Sequence, residues 1–381
     1  MAPTAIVAGY LAGNPVGGHV LSILHWLEGL RSLGYDVVFV EHHGWPDACW
    51  NPVTKTLSDD PSYGLGELAR HAESLRLKGW CFVDAQGRYH GLSQRELATL
   101  CASAEVLLGL WTVTWLEEFA ACRRRIFIDT DPGFTQFAML PEVRASLAFA
   151  SPVDFHEHYT YGTRIGQPDC PIPTHGIHWR PLRPPVALDL LPVRFTPEAP
   201  CFTTVMHWSP RKPIVYNGEE YGQKDTEFRR IATLPSRVDT CLEIALGGSA
   251  PYDEIRAAGW RVADAATVTA TPWTYRDYIG QSRGEFSVAV NLEVKTRSGW
   301  FSDRTAAYLA SGKPAVVQDT GFSDDLPCGE GLFAFRTLDD AVAAFEEIAR
   351  DYPRHCRAAR RIAEEYLDAT RILTRVVGRP T

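Results

Sequence analysis

A glycine-rich segment near the amino terminus is placed to bring a histidine to a ligand. The segment Gly9–His19, GYLAGNPVGGH, follows an apolar run and precedes apolar residues at helical spacing. Glycines such as Gly17 and Gly18 let a backbone approach a bound molecule, and the first amides of a helix attract anions. A neutral His19 there could take a proton from a hydroxyl near pH 7. A histidine that only caps or packs the helix is the alternative.

Two carboxylates, Asp129 and Asp131, are one residue apart directly after the apolar run Ile126–Ile128. Such a pair could chelate a divalent cation, or it could position His19 or a second substrate. It could also form only a turn, because Asp-Pro-Gly at residues 131–133 is strong turn chemistry. We expect positioning rather than metal binding. The predicted catalytic residues are therefore His19, Asp129 and Asp131, without a metal.

A second group of polar residues begins a helix in the carboxyl-terminal half. Ser302 suits a helix N-cap, and the helix start together with Arg304 would favour phosphate oxygens. After the predicted strand Ala315–Gln318, Asp319 could hydrogen-bond sugar hydroxyls, and Gly321 permits a close approach. Simple capping, a surface arginine and an ordinary turn are the alternatives.

Two weaker signals complete the predicted ligand contacts. Lys224, in YGQKD, could meet a phosphate as a point charge, and Gly248 follows another apolar run. Four tryptophans near loops of the first half could stack on a sugar ring, although large aromatics are more often core: Trp45, Trp50, Trp111 and Trp115. The predicted ligand-binding residues are Gly17, Gly18, Lys224, Gly248, Ser302, Asp303, Arg304, Asp319, Thr320 and Gly321.

Apolar runs alternate with helical patterns along the chain, which predicts parallel sheets with ligand sites beyond the carboxyl ends of the strands. One helix is predicted near Glu67–Leu77. The predicted strands are Ala5–Ala8, Val37–Val40, Val106–Leu110, Ile126–Asp129, Phe202–Met206, Cys241–Ala245, Trp260–Ala263, Phe286–Asn291, Ala315–Gln318 and Leu332–Phe335.

The chain has 381 residues, more than one hydrophobic core usually supports. Eight of its 26 prolines lie in residues 171–200, and proline is unsuited to helices and to sheet interiors. We interpret that stretch as an interdomain connection. The predicted domains are residues 1–190 and 191–355, with a final helix at 356–381 that packs back across both.

Composition excludes several classes of protein. A formal net charge of -8 gives no long-range attraction for nucleic acid or anionic membranes. No apolar run approaches the roughly 20 residues of a membrane span, and no basic segment precedes the first apolar run, as a signal peptide would require. The nine cysteines are scattered and never spaced C-x-x-C. This pattern predicts reduced thiols in a cytoplasmic protein.

Two long segments resemble one enzyme superfamily. Residues 298–322, SGWFSDRTAAYLASGKPAVVQDTGF, resemble the donor-binding segment of GT-B glycosyltransferases. Residues 13–40, GNPVGGHVLSILHWLEGLRSLGYDVVFV, are similar to the opening of that superfamily, whose inverting members often carry a catalytic histidine at the place of His19. The segments IDTDPGFTQ, CPIPTHGIHW and YGQKD look like a bacterial subgroup. The resemblance implies an α/β protein of two Rossmann-like, doubly wound parallel-sheet domains facing a cleft.

The chain also departs from known patterns of the superfamily. Retaining GT-B enzymes often have two glutamates eight residues apart, and the matching positions here are Gly299 and Ala307. The histidine-rich donor motif of plant and antibiotic inverting enzymes is also missing. The leading interpretation is an inverting, metal-independent, hexosyltransferase-like enzyme with His19 as general base. The stereochemistry stays open.

The resemblance implies two small-molecule partners and no cofactor. A nucleotide-diphosphate sugar would be the donor, and a hydroxyl of a small molecule in natural-product or glycan biosynthesis would be the acceptor. A homodimer is left open, and neither nucleic acid nor a membrane span is expected. Two alternatives remain: a nucleotide-sugar epimerase on the same fold, and a catalytically silent protein that binds a sugar nucleotide.

Overall fold

The computed structural model describes residues 2–111, 113–140 and 152–379, which divide into two compact units. The first unit contains the described residues within Met1–Gly162, Pro173–Ala187 and Ala369–Thr381. The second unit contains Thr163–Ile172 and Leu188–Asp368. The chain therefore passes between the units more than once rather than at a single linker.

The first unit is built on an eight-stranded sheet in the order β10-β9-β8-β7-β1-β2-β5-β6, in which only the β5–β6 pairing is antiparallel. Its strands, with the separate hairpin β3–β4, are β1 (Thr4–Ala8), β2 (Asp36–His42), β3 (Cys49–Asn51), β4 (Thr56–Ser58), β5 (Gly79–Val83), β6 (Tyr89–Gly91), β7 (Val106–Leu110), β8 (Arg125–Asp129), β9 (Glu157–Thr160) and β10 (Trp179–Pro181). Its helices are α1 (Gly17–Ser32), α2 (Ser62–Ser74), α3 (Gln94–Ser103), α4 (Phe134–Ala138) and the carboxyl-terminal α13 (Ala369–Val377), which packs on α1.

The second unit is built on a six-stranded, fully parallel sheet in the order β15-β14-β11-β16-β17-β18. Its strands, with the separate hairpin β12–β13, are β11 (Cys201–His207), β12 (Ile214–Tyr216), β13 (Glu219–Tyr221), β14 (Cys241–Gly247), β15 (Arg261–Asp264), β16 (Gly284–Ser287), β17 (Ala315–Gln318) and β18 (Leu332–Phe335). Its helices are α5 (Lys224–Ile231), α6 (Tyr252–Ala257), α7 (Ala265–Val268), α8 (Pro272–Gln281), α9 (Asn291–Thr296), α10 (Asp303–Ala310), α11 (Leu338–Arg350) and α12 (Tyr352–Ile362).

Buried apolar strands explain why both sheets form. Strands β1, β7 and β17 are completely buried, as expected for parallel strands covered by helices on both faces. In the first unit β8, β7, β1 and β2 are consecutive neighbours, so their carboxyl ends lie side by side at one edge. In the second unit the same holds for β14, β11, β16 and β17. Residues that follow these strands are therefore brought together within each unit.

The predicted strands are present, with one error of extent. The prediction Phe286–Asn291 is wrong in its second half, because β16 ends at Ser287 and α9 begins at Asn291. An apolar run cannot by itself distinguish a strand from the turn into a buried helix. The helix predicted near Glu67–Leu77 begins and ends earlier, as α2.

The domain boundaries differ from the expected ones at both ends of the second unit. The main division falls after Ala187, but Thr163–Ile172 already belongs to the second unit. The proline-rich stretch is not only a connection, because β10 is the edge strand of the first sheet, a place that tolerates proline. The predicted final helix is two helices: α12 lies in the second unit and α13 in the first.

Two of the nine cysteines form a disulfide bond, which corrects the expectation of reduced thiols throughout. Cys201 and Cys241 begin β11 and β14 and are register partners on these adjacent strands. Their separation of 40 residues in the sequence hid the pairing. The other seven cysteines are not disulfide-bonded. Within the described part of the chain, no helix has the length and apolar character needed to cross a membrane.

Lys313 is a fully buried lysine in the second unit, and its ammonium group donates a hydrogen bond to the Thr196 hydroxyl. Burial lowers the pKa of Lys313 to about 8, against the opposing influence of Cys356 and Glu198. Between this value and the ordinary 10.5, the native protein binds fewer protons than the unfolded chain. The free energy of unfolding therefore rises as the pH increases through that window.

Replacing Lys313 with methionine should raise the free energy of unfolding at pH 7 by about 1–2 kcal/mol, because a buried charge is replaced by an apolar chain of similar volume. The advantage should shrink by pH 10, where the native lysine is neutral. Urea denaturation of both proteins at the two pH values measures this, with exposed Lys212→Met as the control. A stability difference that is independent of pH would contradict the prediction.

Candidate functional site

A buried carboxylate organises the loop between β1 and α1. Glu41, near the end of β2, accepts hydrogen bonds from three consecutive backbone amides, those of Leu11 (2.8 Å), Ala12 (2.7 Å) and Gly13 (2.7 Å). His43 donates a fourth from Nε2 (2.6 Å). These amides point inward to Glu41, so they are not the anion-binding groups expected of a glycine-rich loop. The Glu41 carboxylate instead anchors the loop to the end of β2.

His19 lies in the first turn of α1, and this loop fixes one of its ring nitrogens. Nε2 is within hydrogen-bond distance of the Tyr10 carbonyl oxygen. Because a carbonyl can only accept, Nε2 carries the proton of the neutral ring, and Nδ1 keeps the free lone pair. Burial lowers the pKa of His19, although the Tyr10 hydrogen bond and the charges of Glu41 and Asp131 oppose the shift. His19 is therefore neutral at pH 7, with Nδ1 as the basic atom.

Trp111 fixes the plane of the His19 ring. The two rings are stacked with centroids 4.5 Å apart. Trp111 follows β7 directly and has a φ of 61°, a left-handed conformation that costs a bulky residue on the order of 1–3 kcal/mol. Strain of this kind is found where the surroundings over-determine a conformation, often at functional sites. Trp45 and Trp111 both stay half-buried at this edge.

Asp129 and Asp131 differ in environment. Asp129 is fully buried, and its two oxygens accept hydrogen bonds from the side chains of Thr135 (2.6 Å), Gln136 (2.8 Å) and Thr160 (2.7 Å) and from the Asp131 amide (3.2 Å). Burial raises the pKa of Asp129 to about 6 despite these donors. Asp129 is therefore occupied in holding the start of α4 to the sheet, and Asp131, half-buried, is the carboxylate whose charge reaches His19.

The first helical turn of α1 carries Gly17 and Gly18. Val16 at the N-cap has no side-chain acceptor for the first amides, and the first turn has no acidic residue. The helix begins at Gly17, two residues before His19, where the sequence had placed the start. Among the described residues, no group of three or more histidine, cysteine or acidic side chains is arranged to hold a metal ion.

Arg304 in the second unit faces the interior, contrary to the predicted phosphate cradle. Its Nε donates to the fully buried Glu285 (2.7 Å), and an amino group donates to the Val205 carbonyl (2.9 Å). Ser302 caps α10, as predicted, by accepting from the Arg304 amide (3.2 Å). The cavity at this helix start is only about 10 Å³. The guanidinium therefore compensates a buried carboxylate, while Asp303 beside it stays partly exposed.

Asp319 likewise organises its own loop. It accepts two hydrogen bonds from Arg336 (2.9 and 2.7 Å), one from the Ser323 hydroxyl (2.9 Å) and one from the Gly321 amide (2.9 Å). Burial alone would raise the pKa of Asp319, but these partners hold it below its ordinary value. Thr320 donates to the Trp300 carbonyl (2.5 Å). The predicted contacts of these side chains with sugar hydroxyls would require them to leave these partners.

Thr163 and Arg164 of the same chain pack closely against Gly299 and Gly321. A Cβ atom at Gly299 would lie 2.4 Å from the Thr163 hydroxyl, and one at Gly321 would lie 2.6 Å from Cδ of Arg164. The segment Thr163–Ile172 thus lies on these two loops, and Arg164 pairs there with Asp169 (2.5 Å). Glycine at both positions serves internal packing.

His207, which was not predicted from the sequence, lies against Gly248 and within electrostatic reach of Lys224. His207 ends β11 beside Gly247 of β14, and a Cβ at Gly248 would lie 2.6 Å from its Cε1. Partial burial and the Lys224 charge lower the pKa of His207. Gly248 and His207 are exposed, and Lys224 is half-buried. This corner is the solvent-facing part of the predicted donor site.

Three important residues were not foreseen: Glu41, Arg164 and His207. Glu41 and His207 each lie at the carboxyl end of a buried strand, the position that had led to Asp129 and Asp319, so the same rule could have found them. Arg164 carries no such signal, because its partners depend on the course of the chain between the units.

The comparisons with known proteins come from structure alone, since no protein-family model and no curated protein matches the sequence. The chain is similar to AviGT4, a glycosyltransferase of avilamycin A biosynthesis, with 13% identity over 99% of this chain and 96% of that chain and a TM-score of 0.55. Anabaena Alr3699/HepE, solved with UDP-glucose, gives 12% identity, coverage of 98% of each chain and a TM-score of 0.54. A glycosyltransferase from Rickettsia africae is 9% identical over 99% of this chain and 98% of that chain, with a TM-score of 0.52.

These similarities run through both units and end to end along the chain. Each of these three proteins is covered over at least 96% of its length, so the likeness does not come from one shared Rossmann-like unit. The two parallel sheets and the whole-chain match together show that this chain has the GT-B fold.

Proposed function

We propose that this protein is a glycosyltransferase that moves a sugar from a nucleoside diphosphate donor to a hydroxyl group of a small-molecule acceptor. The observation that carries the proposal is the geometry of His19, whose free Nδ1 is created by the hydrogen bond from Nε2 to the Tyr10 carbonyl. The GT-B fold and the UDP-glucose bound to a structural neighbour support the donor class.

The first unit would supply the general base. Nδ1 of His19 accepts the proton of the acceptor hydroxyl as its oxygen attacks the anomeric carbon, and the resulting imidazolium is stabilised by the charge of Asp131. This single displacement inverts the anomeric configuration. Stacking on Trp111 holds the ring still, and the half-buried indoles beside it offer an apolar wall to a sugar or acceptor.

The second unit would hold the donor through its exposed corner. The Lys224 ammonium and the backbone at Gly248 are the contacts we assign to the diphosphate, with His207 as a third polar group. Gly17 and Gly18 in the first unit offer helix amides to the same class of anion. Ser302, Arg304 and Asp319 act as supports that keep the loops in place.

We propose that the transfer needs no metal ion. The pair Asp129 and Asp131 does not form a chelate, because both oxygens of Asp129 already accept hydrogen bonds inside the unit. Lys224 is the positive side chain that we assign to neutralising the leaving diphosphate. Activity that persists in excess EDTA is the expected result.

Nucleoside diphosphates and their sugars should stabilise the protein against heat. At a ligand concentration 100 times the Kd, the expected gain is about 2.7 kcal/mol. Lys224→Gln should weaken donor binding by about tenfold or more, since a charge-assisted hydrogen bond is lost. Lys295→Gln is the matched control, because its ammonium is engaged by Glu219 (2.5 Å) and the Glu220 carbonyl (3.0 Å).

The screen also separates the alternatives. A protein that no nucleoside diphosphate or sugar nucleotide stabilises is not a transferase of this class. Incubation of the identified donor without acceptor should leave its sugar unchanged, apart from slow hydrolysis. A new epimer of the donor sugar would overturn transfer in favour of epimerisation.

A further inference from the structure

The cysteine pair of the second unit lies away from the proposed donor corner. Cys201 and Cys241 stand at the amino ends of β11 and β14, whereas His207 and Gly248 lie at or beyond the carboxyl ends of the same strands. The two cysteines are register partners with Cα atoms 4.3 Å apart. The backbone therefore holds the sulfur atoms together whether they are oxidised or reduced.

An arginine lies against both sulfur atoms. Arg261 begins β15, the next strand of the sheet, and its guanidinium nitrogen is 3.4 Å from Sγ of Cys201 and 3.9 Å from Sγ of Cys241. Arg261 also faces Glu243 at 3.6 Å. A cation at this distance favours the thiolate form, which is both the nucleophile and the leaving group in thiol–disulfide exchange.

A cavity is lined by one of the two cysteines. It has a volume of about 370 Å³, and Cys241 lies in its wall together with Phe202, Arg283 and the carboxylates Glu198 and Asp239. Cys241 is half-buried, whereas Cys201 is only 5% exposed. The cavity wall combines apolar surface with one cation and two anions, and it is large enough for part of a small peptide thiol.

We propose that Cys201 and Cys241 form a reversible thiol–disulfide site for low-molecular-weight thiols and disulfides, which enter through this cavity and react at Cys241. The site is independent of the proposed sugar transfer. Its three components are the register-paired cysteines, the guanidinium that stabilises the leaving thiolate, and the cavity that is lined by Cys241 and not by Cys201.

Reduction proceeds in two exchanges. A thiolate RS⁻ attacks Sγ of Cys241, forming a mixed disulfide, and Cys201 leaves as a thiolate next to Arg261. A second RS⁻ attacks the sulfur of the bound RS group, giving RSSR and the Cys241 thiolate. Oxidation is the reverse, in which RSSR takes two electrons from the two cysteines and leaves as two RSH. The co-reactant is a small thiol and its disulfide in both directions.

The chain contains a matched control pair. The thiols of Cys101 and Cys122 are hydrogen-bonded to each other, but they are 0% and 1% exposed and are not joined. They are therefore close in space without an opening to solvent. Cys328, the exposed cysteine outside the disulfide, reports the reaction of a thiol at the surface.

The test is alkylation of the folded protein, followed by peptide mass analysis, after equilibration in glutathione buffers of increasing oxidised fraction. We expect Cys201 and Cys241 to change together from alkylated to disulfide-bonded, while Cys101 and Cys122 stay unmodified. Arg261→Gln should slow reduction by glutathione by about threefold or more, because the leaving thiolate loses its cation. Far-ultraviolet circular dichroism confirms that each variant is folded.

Two single variants test the direction of attack. Cys201→Ser should accumulate a glutathione adduct at Cys241, whereas Cys241→Ser should leave Cys201 free of adduct. The proposal is overturned if the pair reacts only at the rate of Cys101 and Cys122, or if it stays as two thiols in oxidised glutathione. Equal labelling of both single variants would overturn the assignment of Cys241 as the attacked sulfur.

Discussion

His19→Gln should lower kcat for sugar transfer by about 10²–10⁴-fold, the usual contribution of a positioned general base. Glutamine suits this test because its amide NH₂ can replace Nε2 as the donor to the Tyr10 carbonyl, while nothing replaces the lone pair of Nδ1. Donor affinity and the free energy of unfolding should stay close to the wild-type values. Steady-state kinetics and donor-induced thermal shift measure the two properties separately.

The pH profile provides the second readout of the same change. Because burial lowers the pKa of His19, wild-type kcat/KM should rise with pH through a value below the ordinary 6.5 and be level at pH 7. In His19→Gln this rise should be absent. His42→Asn is the control, since His42 lies at the same sheet edge with Nδ1 bound to the Trp115 carbonyl (3.0 Å). If His19→Gln kept kcat within threefold of wild type, His19 would not be the base.

The architecture was predictable because the strands of this fold are buried. Val106–Leu110 (VLLGL) and Ala315–Gln318 (AVVQ) are short, mainly apolar runs, and both appear as strands with the predicted limits. Covered parallel strands give such apolar runs, although a run such as Phe286–Asn291 can continue past the end of its strand. The placement of polar residues at the carboxyl ends follows from topology, which is why His19 and Asp131 were found near each other.

The direction of charged side chains was not predictable in the same way. Arg304 follows a good N-cap and has the chemistry of a phosphate ligand, yet its partner is Glu285, a fully buried carboxylate on β16. Asp319 is paired with Arg336 by a similar cross-chain contact. Whether an ion pair is satisfied internally depends on residues that sequence spacing does not bring together, so motif chemistry overstates the number of ligand contacts.

The same reasoning explains why a carboxylate outside every motif is central to the first unit. Glu41 lies 28–30 residues from the amides it accepts, so no local pattern relates them. Glu41 binds the amide of Leu11, the residue directly after Tyr10. The Tyr10 carbonyl in turn sets the tautomer of His19. Glu41 is thus a positioning residue for the base, acting through the backbone rather than by contact with a substrate.

Glu41→Gln should lower the free energy of unfolding by about 3 kcal/mol, since an NH₂ group would face backbone donors that a carboxylate oxygen now satisfies, and each unsatisfied buried group costs about 1–3 kcal/mol. Urea denaturation measures the loss. Glu118→Gln is the matched control, because Glu118 is also buried. Only one of its oxygens accepts the hydrogen bonds from Tyr89 (2.8 Å) and Gln94 (2.9 Å). The amide oxygen of glutamine can still accept both of these bonds.

A purely structural role for Glu41 would change stability alone, so a second measurement is needed. At a temperature where Glu41→Gln is folded, nitrogen-15 spectra of the histidine rings should show His19 passing from the Nε2–H tautomer to a mixture, because the Tyr10 carbonyl is no longer held in place. In Glu118→Gln the His19 signals should match those of wild type. If the His19 tautomer were unchanged in Glu41→Gln, Glu41 would not position the base, and its role would be limited to stabilising the fold.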